Sequence, residues 1–275
     1  MAETTDMKKT PLTVFNAGLG GKMVEFAGYE MPIQFPEGVM KEHLHTRAKA
    51  GLFDVGHMGQ VILRPKSGKV EDAALALERL LPVDVLGLKV GRQRYGLFTD
   101  AKGGILDDLM FANRGDHLFL VVNASCKVQD IAHLRKNLSD VCDIEELADR
   151  GLIALQGPVA ESALAKLNPE VAAMSFMDVK DVTLAGASCI VSRSGYSGED
   201  GYEISVPADK AVELTKALLA DPDVHPIGLG ARDSLRLEAG LCLYGHDIDT
   251  TTTVVEGGLT WAISKARRAG GARAG

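Results

Sequence analysis

Three places in the chain carry residue types that could do chemistry. The first is the tract Gly103-Gly104-Ile105-Leu106-Asp107-Asp108-Leu109, where two adjacent acids stand among apolar residues. A carboxylate in apolar surroundings is costly unless donors reach it, and such a group can orient an amine or take its proton. On a strand, neighbours point to opposite faces, so only one of the two acids can look into a pocket. The residues alone leave open which one it is, and also whether either merely caps the preceding turn. The second place is Gly195-Tyr196-Ser197-Gly198-Glu199-Asp200-Gly201, whose three glycines let backbone approach a ligand closely or simply turn a hairpin. The third is Arg232, in the first turn of a helix opening at Gly230-Ala231-Arg232-Asp233. A cation is mildly disfavoured there by the helix dipole, so Arg232 calls for an anionic partner, either a ligand or an internal acid.

Other patterns are weaker. Gly18-Leu19-Gly20-Gly21-Lys22-Met23 lacks the Ser or Thr that a phosphate loop needs after its lysine and reads as a helix-ending turn. His43 and His45, two apart on a helix, do not share a face, and His57 and His246 stand away from other ligand types. No metal site is expected.

These residues need elements to hold them. Thr10-Pro11 opens a short helix, a second is expected from Glu37 to Ala50 with Gly51 as its stop, and Ser67 caps a third with the stripe Val70, Ala73, Ala74, Leu77, Leu80, Leu81. Strands are expected at 60–63, 93–99, 105–112 and 118–122, with 101–104 as a turn, so that both acids fall early on a hairpin strand. An amphipathic helix follows at 127–138. The second half repeats the mixture: a strand at 152–155, a helix launched by Gly157-Pro158, the hairpin 188–194 and 202–206, a helix from Pro207, and a last one over 231–239. Strand pairs alternating with single helices predict an α+β fold with largely antiparallel sheets and packed helices.

The bulk properties set bounds. With 275 residues, 46% hydrophobic and 24% charged, the chain can bury a sizeable core. Its net charge of −7 argues against a broad nucleic-acid surface. Cys126, Cys142, Cys189 and Cys242 are scattered, which fits a reducing compartment. Met1–Lys9 has no apolar core of a secretory signal, no stretch approaches the ~18 residues of a membrane span, and a cytoplasmic protein is expected. The tail 265–275 is basic and glycine-rich and reads as a linker.

Taken in order, the tracts Phe26–Pro32, Asp54-Val55-Gly56-His57-Met58-Gly59, Gly103–Leu109, Ser194–Glu203, Gly228–Asp233, Arg236–Gly240 and Tyr244–Asp249 resemble the aminomethyltransferase, or T-protein, family of the glycine cleavage system. The resemblance runs to about Trp261. It implies a folate-binding, three-domain fold in which tetrahydrofolate is the co-substrate and lipoylated H-protein the partner. The reaction releases ammonia and yields methylenetetrahydrofolate. Residue by residue, it assigns Asp108 as the catalytic carboxylate, with Asn123, Tyr196, Glu203 and Arg232 as folate contacts and Met58, Tyr95 and Trp261 as pocket-lining positions. It further suggests two interlocked lobes, 1–54 with 146–222 and 55–145 with 223–264, leaving 265–275 as the linker toward a C-terminal β-barrel domain that is missing here.

Ala112 departs from the pattern, standing where some relatives carry a tyrosine. Alternatives within the same superfamily are a folate-dependent demethylase, the folate portion of a dimethylglycine or sarcosine dehydrogenase, and a non-catalytic folate-binding protein. The dehydrogenase would carry a dinucleotide fingerprint and the binding protein a cysteine-containing glycine motif, and neither is found.

Overall fold

The computed structural model describes residues 7–268. The described residues divide into two compact units, 7–57 with 149–241 and 58–148 with 242–268. It opens in the first unit with α1 (Thr13–Gly18), β1 (Lys22–Phe26), β2 (Tyr29–Gln34), α2 (Val39–Ala48) and β3 (Ala50–Asp54). The second unit then takes β4 (Gly59–Pro65), α3 (Val70–Leu77), β5 (Arg92–Thr99), β6 (Ile105–Asn113), β7 (Leu118–Val122), α4 (Lys127–Leu138) and β8 (Cys142–Glu146). The chain returns to the first with β9 (Arg150–Gln156), α5 (Ala160–Ala165), β10 (Val179–Leu184), β11 (Ala187–Ser192), β12 (Gly201–Pro207), α6 (Ala211–Leu219), β13 (Val224–Ile227) and α7 (Leu229–Glu238).

The first unit is built on a six-stranded sheet ordered β10-β11-β12-β9-β3-β13, antiparallel except for the parallel pairing of β3 with β13. Its core joins β9 residues Ile153 and Leu155, β12 residues Tyr202, Ile204 and Val206, and the apolar stripe Ala211, Leu214, Leu218 of α6. The i, i+3, i+7 spacing of that stripe is what makes 211–219 a helix with one buried face. The β1–β2 hairpin forms a separate two-stranded sheet.

The second unit has a five-stranded antiparallel sheet, β5-β6-β7-β4-β8. α3 buries Val70, Ala73, Ala74 and Leu77, and α4 buries Ile131, Leu134 and Leu138, in one core with Phe98, Leu109, Phe111 and Leu120. A smaller apolar cluster brings Leu97 and Ile105 against Ile248, Val254, Leu259 and Ala262 from the late segment.

The expected mixture of antiparallel sheets and helices is what forms, and among the described residues no strand set closes into a barrel. Some expectations are corrected. The second helix stops at Ala48, because Ala50–Asp54 is a fully buried strand paired on both sides rather than a helix end. Ser67 is not the cap of α3; its hydroxyl bonds Asp72 and accepts Lys69 N–H, and Lys69 takes the cap position. The return to the second unit falls after Leu241 rather than Pro222, since β13 pairs with β3 and α7 packs on α2. Of the expected linker, Lys265–Arg267 forms a single 3₁₀ turn, and 269–275 lie outside the described residues.

Candidate active site

In the second unit, β6 runs Ile105 to Asn113 between β5 and β7, and past a register irregularity near Ile105 its side chains alternate between the two faces. Asp107 is 0% exposed, whereas Asp108 on the other face is half-buried. The turn before them is capped by a different acid. Asp100 Oδ1 accepts the N–H groups of Lys102 and Gly104 at 2.7 and 2.9 Å, so neither member of the pair serves that purpose.

Each Asp108 oxygen has a donor. Tyr95 O–H donates to Oδ2 at 3.0 Å from the neighbouring strand β5, and Asn123 Nδ2 donates to Oδ1 at 2.7 Å from the end of β7. Asn123 also holds Asp107, through Nδ2 to Oδ1 at 2.9 Å and backbone N–H to Oδ2 at 3.2 Å. Burial, and then the charge of Asp107, push the Asp108 carboxyl up to about 6, against the opposing pull of the Tyr95 and Asn123 bonds. Asp108 is thus largely ionised at neutral pH yet retains useful proton affinity. Tyr95, pushed far above the usual phenol value by burial and by Asp108, remains an O–H donor. Its ring stacks on Trp261 at 5.2 Å and 26°, and Trp261 keeps 64% of its surface open. Met58, at the start of the same unit, is half-buried.

Within the first unit, the sequence-derived residues Tyr196, Glu203 and Arg232 come together. Arg232, in the first turn of α7, sets its guanidinium 4.6 Å from the centre of the Tyr196 ring. It forms no ion pair with a described Asp or Glu, so the internal salt bridge is not made. Burial draws its basicity below the ordinary arginine value while the charge of Glu203 opposes that. Glu203, on β12, is half-buried and accepts a hydrogen bond from Ser194 Oγ at 3.0 Å.

Two supporting residues were not found from sequence. Gln156, buried at the end of β9, donates from Nε2 to Ser194 O at 2.9 Å and accepts from Ser197 Oγ at 2.8 Å, tying down both sides of Tyr196. A side chain at Gly195 would overlap the Gln156 amide, which is why glycine stands there. Asp130, 1% exposed, occupies a core-facing position of α4 beside Ile131 and Leu134. An acid on the apolar stripe of an amphipathic helix was the available signal. The histidines have structural surroundings: His43 bonds Ser234 and Glu238, and His45 stacks on His225 at 3.7 Å.

The fold is mixed α+β, with an antiparallel strand presenting one carboxylate held by two donors. Residues 12–267 match the family described as the GCVT N-terminal domain. The mitochondrial aminomethyltransferase of Dictyostelium discoideum is 46% identical over 283 residues, covering 97% of this chain and 69% of that protein. That of Flaveria pringlei is 45% identical over 281 residues, covering 98% and 68%. The glycine cleavage system aminomethyltransferase T of Bartonella henselae superposes with a TM-score of 0.88 at 41% identity, covering 96% of this chain and 72% of that one. The chain belongs to the GCVT family, the aminomethyltransferases or T-proteins of the glycine cleavage system.

The expected cytoplasmic location is corrected by the Dictyostelium and Flaveria relatives, which are mitochondrial by name. A missing apolar core speaks only to a secretory leader, whereas organelle-directed segments are basic and amphipathic and need none.

Proposed function

We propose that the chain transfers the one-carbon unit of an aminomethyl group, carried on the lipoyl arm of H-protein, to tetrahydrofolate with release of ammonia. The observation that carries the reading is Asp108, a half-buried carboxylate held by Tyr95 and Asn123 and titrating near 6. Tetrahydrofolate, when bound, supplies the amine nitrogens that take up the carbon. Asp108 orients such an amine, accepts the proton it gives up and offsets the positive charge that develops while ammonia leaves. Tyr95 and Asn123 keep both carboxylate oxygens aimed, so little reorganisation accompanies the charge change.

The residues present suit a flat heterocycle bearing N–H donors. In the first unit, Glu203 is an acceptor for such an edge and the Tyr196 ring backed by Arg232 is an aromatic surface; in the second, the open face of Trp261 is another and Met58 is an adaptable apolar side chain. Identities of 41–46% to aminomethyltransferases favour the transferase over the demethylase and the non-catalytic binder. The test is ammonia release from aminomethylated H-protein in the presence of tetrahydrofolate. Asp108→Asn is expected to lower turnover by about 10²–10⁴-fold while leaving folate binding measurable. Near-normal turnover in that variant would remove Asp108 from the mechanism.

A further inference from the structure

Two elements of the first unit bring the Tyr196 ring and the Arg232 guanidinium together: the loop 195–201, which carries Tyr196, and α7, whose first turn carries Arg232. The loop is fastened to its own sheet in two ways. Gln156, at the end of β9, donates to Ser194 O and accepts from Ser197 Oγ. At the far end of the loop, the Asp200 carboxylate accepts Arg193 Nε at 3.0 Å and the Asp200 carbonyl accepts Gly157 N–H at 2.8 Å. None of these bonds involves α7, so they do not set the separation of ring and guanidinium.

Arg47, in the last turn of α2, links the loop to that helix. One guanidinium nitrogen donates to Ser197 O at 2.6 Å and to Glu199 Oε1 at 2.9 Å, both in the loop. The other donates to Leu235 O at 3.3 Å and to Glu238 Oε2 at 3.0 Å, both at the C-terminal end of α7. A planar fork can serve two elements at once in fixed geometry, which a lysine ammonium cannot. The α7 half is braced by His43, one turn earlier on the same face of α2, whose Nε2 lies 3.0 Å from Glu238 Oε2 and whose Nδ1 lies 2.7 Å from Ser234 Oγ. The loop half depends on Gly198, at φ +81°, where a Cβ would stand 2.8 Å from Ala239 Cβ at the end of α7. Arg47 and Glu199 are both half-buried, so solvent screens their ion pair only in part.

We propose that Arg47 is a positioning residue: by holding the loop 195–201 and α7 in one fork, it fixes the Tyr196 ring against the Arg232 guanidinium, and with it the aromatic face offered to the flat ring of folate. The statement about folate rests on the reading given above, while the placement of the ring does not.

The experiment uses the full chain labelled with 3-fluorotyrosine. Its five tyrosines each give a fluorine line, and Tyr196→Phe identifies the one from Tyr196. Arg47→Gln is expected to shift the Tyr196 line while those of Tyr29, Tyr95, Tyr202 and Tyr244 stay in place. Arg47→Lys, which keeps the charge without the fork, is expected to shift it as well. Glu199→Ala removes one bond of the loop half and is expected to shift the line less. A Tyr196 line that stays put in Arg47→Gln, or in Glu199→Ala where Arg47→Gln does not fold, overturns the proposal, as does movement of all five lines. The second measurement is the Kd for tetrahydrofolate in Arg47→Gln, Tyr196→Ala and the double variant. Arg47→Gln is expected to weaken binding roughly fivefold or more by itself and less than about twofold in the Tyr196→Ala background, because residues acting through one contact are not additive. Equal losses in both backgrounds would overturn the proposal. A Kd unchanged in Tyr196→Ala would instead defeat Tyr196 as a folate contact, and the fluorine line then decides the role of Arg47.

Discussion

Replacing Tyr95 with Phe isolates one hydrogen bond and converts it into a shift on the pH axis. The phenol donates to Asp108 at 3.0 Å, and its ring stacks on Trp261 at 5.2 Å, so phenylalanine keeps the packing and deletes only the donor. A donor to a carboxylate stabilises the charged form, so its loss must raise the Asp108 pKa. A hydrogen bond to a charged group contributes about 1.5 kcal/mol, which is about one pKa unit. The acid limb of kcat/KM, set by Asp108 near 6, should therefore move to about 7 in Tyr95→Phe. At pH 6.5 the ionised fraction falls from roughly three-quarters to one-quarter, a threefold loss, whereas at pH 8.5 the two enzymes differ by less than about a tenth. Initial rates of ammonia release from pH 5 to 9 would resolve this. A limb that stays in place, or moves to lower pH, would refute the assignment of Asp108 as the titrating group.

Three further outcomes follow from the same contacts. A carboxyl that binds its proton more tightly folded than unfolded loses stability as pH rises above the unfolded value, by up to about 1.4 kcal/mol per pH unit. Asp130, raised in the folded chain, should show that penalty and Asp130→Asn should escape it, so the margin of the variant in urea midpoint widens from pH 6 to 9; parallel curves would count against it. Gly195→Ala would displace the Gln156 amide from Ser194 and Ser197 and should cost about 2–3 kcal/mol in urea unfolding, a value near zero showing that the loop adapts. Arg232→Lys gives up the planar contact with Tyr196, worth about 0.5–2 kcal/mol, and should weaken folate binding by roughly 2- to 30-fold in a titration. An unchanged Kd would take Arg232 out of the folate contacts.

How much was legible in the sequence depended on how local the determining forces are. α4 is read off with its ends, 127 to 138, because its periodic apolar stripe is a property of the segment itself. β5, β6 and β7 are legible from their β-branched and aromatic content. β13 was not, since Val224-His225-Pro226-Ile227 contains a proline and exists by parallel pairing with β3, far away in sequence. The β1–β2 hairpin was hidden because its turn places Ala27, and not only Gly28, at positive φ, so the usual dipeptide signal is absent. At the site, alternation along β6 showed that only one acid could face outward, but the choice between them depends on what α4 and β7 place behind the strand. Asp130 escaped notice because an acid at one position of a charged helix looks solvated until the sheet beneath is known.

The strand order of the six-stranded sheet has a consequence for how the molecule is made on the ribosome. β3 is synthesised early, yet its partners are β9 and β13, which appear about a hundred and more than a hundred and fifty residues later. The five-stranded sheet, by contrast, needs only residues 59–146, a continuous stretch complete before β9 is translated. The part of the chain that begins second therefore has all its strands first, and the nascent β3 must wait unpaired while it condenses. Domains tend to fold as units during synthesis at about 5–20 residues per second, so that wait lasts on the order of ten seconds. During it the Ala50–Asp54 edge is open to any extended segment within reach, and chaperone dependence of this protein should be sought there.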